Sequence, residues 1–171
     1  KHRHRFDSTR WRSWLAGVDA REVTDRNNEL QSRYVTLTPL TLESRSGDLL
    51  TLEAVHERES LTRDFLLPGG LVVAPGDYSY ERWRVKYVGA GFRRLAPSVE
   101  FEGGDFLGGR RFDTRLGLQY RPNEHLFLNA QYQTNALDVP SGRYTARIYS
   151  LSANVAFNVN WAWLNVAQYD N

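Results

Sequence analysis

Between residues 110 and 133 apolar and polar side chains alternate almost one for one. Phe112, Thr114, Leu116, Leu118 and Tyr120 alternate with Arg111, Asp113, Arg115, Gly117 and Gln119. The run breaks at Arg121-Pro122-Asn123-Glu124, then Leu126, Leu128, Ala130 and Tyr132 alternate with Phe127, Asn129, Gln131 and Gln133. Successive side chains of a β-strand point to opposite faces, whereas a helix would scatter these apolar residues around its cylinder. The stretch therefore reads as a hairpin with one apolar and one polar face.

The same period recurs on both sides. Upstream, Trp83, Val85 and Tyr87 alternate with Arg82, Arg84 and Lys86, and Val99 and Phe101 alternate with Ser98, Glu100 and Glu102. Downstream, Tyr149, Leu151, Ala153, Val155 and Phe157 oppose Ser150, Ser152 and Asn154. Residues 11–24, 30–44 and 49–65 are less regular but rich in Thr, Val, Leu and Tyr, and turn-forming Asp25-Arg26-Asn27-Asn28 and Arg45-Ser46-Gly47-Asp48 separate them. Pro39 lacks an N–H and implies a bulge or an edge. The chain thus reads as an all-β, antiparallel up-and-down meander of roughly nine strands without a helix. Residues 1–10 form a basic N-terminal arm and 11–171 the meander, part of a barrel domain.

Composition narrows the function. The absence of cysteine removes thiolate metal sites, cysteine nucleophiles and redox motifs. The net charge is only +2, and its two signs are interleaved, which argues against a nucleic-acid partner. The one-signed exception, Lys1-His2-Arg3-His4-Arg5, reads as a solvated arm, with no neighbours that would complete a metal site around its histidines. No signal-peptide pattern and no apolar run of about 18 residues is found, and the chain reads as a piece of something longer.

A meander of this kind can be a soluble sandwich, a soluble closed barrel or a membrane barrel. In a soluble barrel the apolar face is packed inside; in a membrane barrel it meets lipid, and the lumen takes the polar residues. Aromatics at strand ends, Tyr78, Tyr80, Trp83 and Tyr87 around one strand and Trp161, Trp163 and Tyr169 around another, favour the bilayer, whose interfaces suit a ring with a polar tip. The lipid-facing candidates are Trp83, Val85, Tyr87, Leu116, Leu118, Leu128, Leu151, Val155 and Phe157. The lumen-facing candidates are Arg84, Lys86, Glu100, Glu102, Arg111, Asp113, Arg115, Gln131 and Asn154.

The segments Leu30-Gln31-Ser32-Arg33, Arg45-Ser46-Gly47-Asp48, Pro75-Gly76-Asp77-Tyr78, Gly104-Asp105-Phe106, Tyr120-Arg121-Pro122-Asn123 and Gln168-Tyr169-Asp170-Asn171 occur in an order that resembles the C-terminal barrel region of the DUF5916 family. The resemblance covers nearly the whole chain from about residue 30. It implies a transmembrane β-barrel in a bacterial outer membrane, preceded in the parent by a family 9 carbohydrate-binding-like sandwich that this chain lacks. The expected partners are the lipid bilayer, the remaining segments of the same barrel and, through the domain not present here, carbohydrate. The family pattern continues past Asn171, so further strands are expected to complete the barrel.

No catalytic constellation emerges, and the expectation is that the chain is not an enzyme and binds no metal or cofactor. Glu100 and Glu102 form a carboxylate pair on one strand face, but with arginines nearby they read as a charge ladder. Asp105 reads as a turn residue, and His56 and His125 have no triad partners at a telling spacing. The expected role is membrane anchor or conduit, linked to carbohydrate binding or uptake in the parent. The alternative is a soluble β-barrel or sandwich that binds an apolar ligand or a glycan. Counting reversals puts the links near 45–48, 91–96, 121–125 and 158–160 on one rim and those near 25–29, 66–77, 103–109 and 135–143 on the other. The second rim carries two long links, Leu66 to Asp77 and Asn135 to Arg143, and is assigned to the cell exterior.

Overall fold

A computed structural model describes residues 1–28 and 30–171. Among the described residues, twelve strands follow one another: β1 (His2–Arg5), β2 (Trp11–Thr24), β3 (Leu30–Ser44), β4 (Leu49–Leu61), β5 (Phe65–Leu66), β6 (Val72–Val73), β7 (Gly76–Val88), β8 (Leu95–Phe106), β9 (Gly109–Tyr120), β10 (Leu126–Val139), β11 (Gly142–Ala156) and β12 (Ala162–Asp170). Ten of them form a single antiparallel sheet in the order β1-β2-β3-β4-β7-β8-β9-β10-β11-β12, and β5 pairs with β6 as a small hairpin inside the link from β4 to β7. The up-and-down meander read from the alternation is therefore the architecture. The edge strands β1 and β12 are not paired with each other, so the sheet is not closed by the described residues.

Several boundaries differ from the sequence reading. The basic arm is not wholly free: His2–Arg5 pair with Ser13–Ala16 of β2, because backbone groups at an open sheet edge accept any extended neighbour. The region 49–65 ends as a continuous strand at Leu61, and a single 3-10 turn, Pro68–Gly70, lies in the link that follows. Pro39 sits at a register shift between Leu37 and Leu40, the bulge that its missing N–H requires.

The links at 103–109 and 135–143 are corrected. Strand β8 runs through Gly103-Gly104 to Phe106 and β9 resumes at Gly109; β10 runs to Val139 and β11 resumes at Gly142. Asp105 is thus a strand residue and not a turn residue, and among the described residues the only long link on that rim is the one from β4 to β7. Glycine misled the reading. Gly104 has φ 144°, and a Cβ there would lie 2.2 Å from the carbonyl oxygen of Glu81, so it serves close approach of two strands and not a turn. The link at 25–29 keeps its place between β2 and β3, although residue 29 lies outside the described residues.

The buried apolar cluster is small and sits at one end. Leu67, Leu71 and Val73 of the long link pack against Tyr80, Leu107 and Val139, with Tyr78, Phe106 and Tyr144 at the margin. The amide of Val72 donates to the Ser141 hydroxyl at 3.1 Å, which ties the link to the β10–β11 turn. Gly69, at φ 76°, leaves room for the Tyr144 ring, which a Cβ would meet at 2.4 Å. The link therefore folds across the sheet at this rim instead of extending into solvent.

The opposite rim is tied by Asp48. Its Oδ1 accepts from the Ala90 amide at 3.1 Å and its Oδ2 accepts from Arg93 at 2.8 Å and the Ser46 hydroxyl at 2.9 Å, joining the β3–β4 turn to the β7–β8 link. Desolvation pushes this carboxyl up, but the Ala90 amide, the Ser46 hydroxyl and Arg93 outweigh it and hold the pKa at about 2. A depressed folded-state pKa contributes stability above the unfolded value, and that stability is lost as pH falls through the folded one. The Ala90 amide chemical shift should therefore stay constant down to about pH 4 and titrate with a midpoint near 2. In Asp48→Asn the same resonance should show no such transition.

Candidate functional site

Register assigns every side chain of the sheet to one of two faces, since directly opposed residues of an antiparallel pair point the same way. One row runs Glu53–Arg84–Glu102–Asp113–Asn135 across β4, β7, β8, β9 and β10, and the next runs Thr51–Lys86–Glu100–Arg115–Gln133. Arg111, Gln131 and Asn154 keep the same parity on β9, β10 and β11. All nine of the polar candidates thus lie on one face.

That face carries a connected charge network. Glu102 accepts from Arg82 at 3.0 Å and from Arg84 at 2.8 Å, while those guanidiniums reach Glu57 and Glu53, each at 2.7 Å. Glu100 takes Arg115 and, at 3.5 Å, Lys86. Asp113 accepts from Arg111 at 2.8 Å and from the Asn135 amide at 2.8 Å, and Gln133 donates to Asn135 at 3.1 Å. Each cation of this wall has a carboxylate and each carboxylate a cation. Arg82 also stacks over the Tyr80 ring at 5.6 Å, and its Nε is the one buried side-chain polar atom without a hydrogen-bond partner among the described residues.

The sequence candidates did not include Glu53, Glu57 and Asn135, nor Arg82 and Gln133, although the last two were read on the polar side of their strands. Their alternation was visible, with Leu50, Leu52 and Ala54 opposing Thr51, Glu53 and Val55, but which charge meets which is settled by strand pairing.

The other face carries Trp83, Val85, Tyr87, Leu116, Leu118, Leu128, Leu151 and Val155, and Phe157 continues the same parity just past β11. Tyr78 and Tyr80 do not belong there. They are even-numbered residues of β7 and share the face of Arg82 and Arg84, where Tyr80 is buried in the apolar cluster. Trp163 and Tyr169 do lie on the apolar face, opposite Val155 and Tyr149.

Burial of the two faces is inverted relative to a water-soluble core. Glu102 is 5% exposed and Asp113 2%, while Leu151 and Trp163 are each 52% exposed and Phe157 65%.

The apolar band also runs obliquely to the strands. On β7 it begins at Trp83, below Glu81, and ends at Tyr87. On β9 it begins at Phe112, in the row of Trp83, but continues to Tyr120. On β11 the row of Trp83 holds Thr145, and the band begins only at Tyr149, in the row of Tyr87, and runs on to Phe157. From β7 to β11 the upper limit thus moves down by the four residues that separate Trp83 from Tyr87, and the lower limit by the eight that separate Tyr149 from Phe157. Above the band, Glu81, Arg110, Asp138 and Arg143 form a charged row, which His56 extends onto β4. The Nδ1 of His56 lies 3.7 Å from the Glu81 carboxylate, so it belongs to the rim and not to a catalytic triad. No group of three or more His, Asp or Glu among the described residues is arranged to hold a metal ion.

Glu102 holds two arginines from one position, so Glu102→Ala should leave Arg82 and Arg84 with only Glu57 and Glu53 respectively and lower the unfolding free energy by about 2–3 kcal/mol. Arg143→Ala, which removes an exposed pair with Asp138, should cost no more than about 1 kcal/mol. Urea titrations of the two variants check the difference.

No protein-family model, no curated protein and no solved structure matches this chain.

Proposed function

We propose that this chain is a segment of a transmembrane β-barrel of a bacterial outer membrane, serving as membrane anchor or conduit. The observation that carries the reading is the inverted burial: an exposed apolar band backs onto a self-neutralising charged network whose carboxylates are poorly exposed. Water favours the opposite arrangement by about 25 cal/mol for each Å² of apolar surface, whereas a bilayer rewards this one.

The slant of the band supports the same reading. With strands about 4.8 Å apart, about 3.3 Å per residue and a tilt of about 40°, a level plane crosses neighbouring strands roughly 1.2 residues apart, or about five residues over four strands. The observed slips of four and eight residues from β7 to β11 bracket that figure. A soluble sandwich gives no reason for an oblique band.

On β9 the band from Phe112 to Tyr120 is roughly 27 Å along the strand, and about 21 Å of vertical height at that tilt, close to the apolar height of such barrels. No helix among the described residues is long and apolar enough to cross a membrane, so the spanning elements are the strands. The rim with the charged row and the long β4–β7 link is assigned to the cell exterior, and the rim with Phe157, Trp161 and the links of β3–β4 and β7–β8 to the periplasm.

A role for the parent in carbohydrate binding or uptake rests on the family resemblance alone. The neutral wall gives the conduit no ion selectivity of its own along β7, β8 and β9, since each fixed charge there is cancelled within the sheet.

Folding into phospholipid vesicles tests the reading. Leu118→Arg or Val155→Arg should reduce the free energy of assembly by about 2–4 kcal/mol where the site lies near mid-bilayer, while Gln131→Arg should assemble as the parent chain does. Equal tolerance of all three, or a chain that stays dispersed and folded without detergent, would instead favour the soluble barrel.

A further inference from the structure

At the rim assigned to the periplasm, the charged face changes character. A cavity of about 390 Å³ is lined there by Arg3, Arg5, Arg12 and Arg45, with Glu43 and Ser13 at its wall. Three local features assemble it. Pairing of β1 with β2 sets Arg3 opposite Leu15 and Arg5 opposite Ser13, on the face that carries Glu43. A register shift between Trp11 and Ser13 is a β-bulge, which brings Arg12 to the same side as Ser13, so that its guanidinium reaches Glu43 at 2.8 Å. Arg45 follows the end of β3 and is steered by a bond from its Nε to the Ser8 carbonyl at 2.9 Å.

The contrast with the wall of β7, β8 and β9 lies in the balance of charge. Glu43 is the single carboxylate of the cavity, already bonded by Arg12 and, at 2.9 Å, by the Ser13 hydroxyl. Arg3, Arg5 and Arg45 have no ion pair among the described residues. A planar carboxylate is satisfied by one guanidinium fork, but forks converging from separate strands and a turn suit a tetrahedral group with oxygens pointing several ways.

We propose that this cavity is a binding site for a solute bearing two or more phosphate groups. It faces away from the apolar band, so the ligand comes from the aqueous side and not from the lipid. The inference stands on the cavity alone and holds whether the sheet closes in a membrane or in water.

Pyrophosphate is the probe, titrated calorimetrically into the full chain folded in neutral detergent micelles at low ionic strength. One saturable site is expected, with affinity that falls as salt rises. Arg3→Gln combined with Arg5→Gln should weaken binding at least tenfold, while Arg147→Gln should leave it unchanged. Glu43→Gln removes the resident anion and frees Arg12, so it should tighten binding several-fold. That gain keeps the test decisive even if the double variant loosens the short strand β1. Unaltered affinity in both the double variant and Glu43→Gln would overturn the site. Equally, if pyrophosphate fails to bind while micelles doped with phosphatidylglycerol engage the same arginines, the soluble ligand is wrong and the cluster belongs to a lipid headgroup.

Discussion

The strictly neighbouring backbone ladder is the constraint on which everything else in this molecule depends. Each long strand pairs with the next long strand in sequence, so its register fixes the face of every side chain at once. A slip of one residue anywhere would exchange the charged and apolar faces of that strand, placing arginines in the apolar band and leucines among buried carboxylates. The cost of either is far larger than any single cross-strand contact, which is why the thirteen- to fifteen-residue strands β7, β10 and β11 keep one alignment along their paired length.

Charge pairing then refines what the ladder sets. Isolated surface ion pairs contribute little, and a buried pair can cost more in desolvation than it returns. In this sheet the network is extended, and Glu102 and Glu100 each serve two cations, so moving any one strand strands several charges together. The network acts more as a lock on register than as a source of net stability. The apolar cluster of Leu67, Leu71, Val73 and Tyr80 does a separate job by folding the long link over the charged face at one rim.

The two rims differ in ways that bear on function. At one, an apolar link is tied down by Ser141 and a charged row borders the apolar band. At the other, Asp48 knits two links together while a few residues away the arginines of β1 and β2 outnumber their carboxylate. Between them lies a wall whose charges cancel. A solute moving along the charged face would meet an excess of positive charge at one end only.

Period-2 alternation alone determined the strand class, the meander and, outside the stretches read as links at 103–109 and 135–143, which residues from Trp83 to Val155 share a face, because a side chain's direction in a strand depends only on its parity. Pro39 marked a bulge or an edge through its missing donor, and a bulge is what forms there. Parity misassigned nothing there; Tyr78 and Tyr80 were placed by their chemistry as ring-bearing residues, against their parity, and the structure returned them to the charged face. What the sequence left open were quantities that depend on partners far along the chain. Gly103-Gly104 resembled a turn because close approach between strands and a reversal both call for glycine. The pairing of Glu53 with Arg84, the folding-in of residues 65–73, the gathering of Arg3, Arg5, Arg12 and Arg45, and the slant of the apolar band were decided only in the tertiary structure, since each arises from which strands become neighbours and in what register.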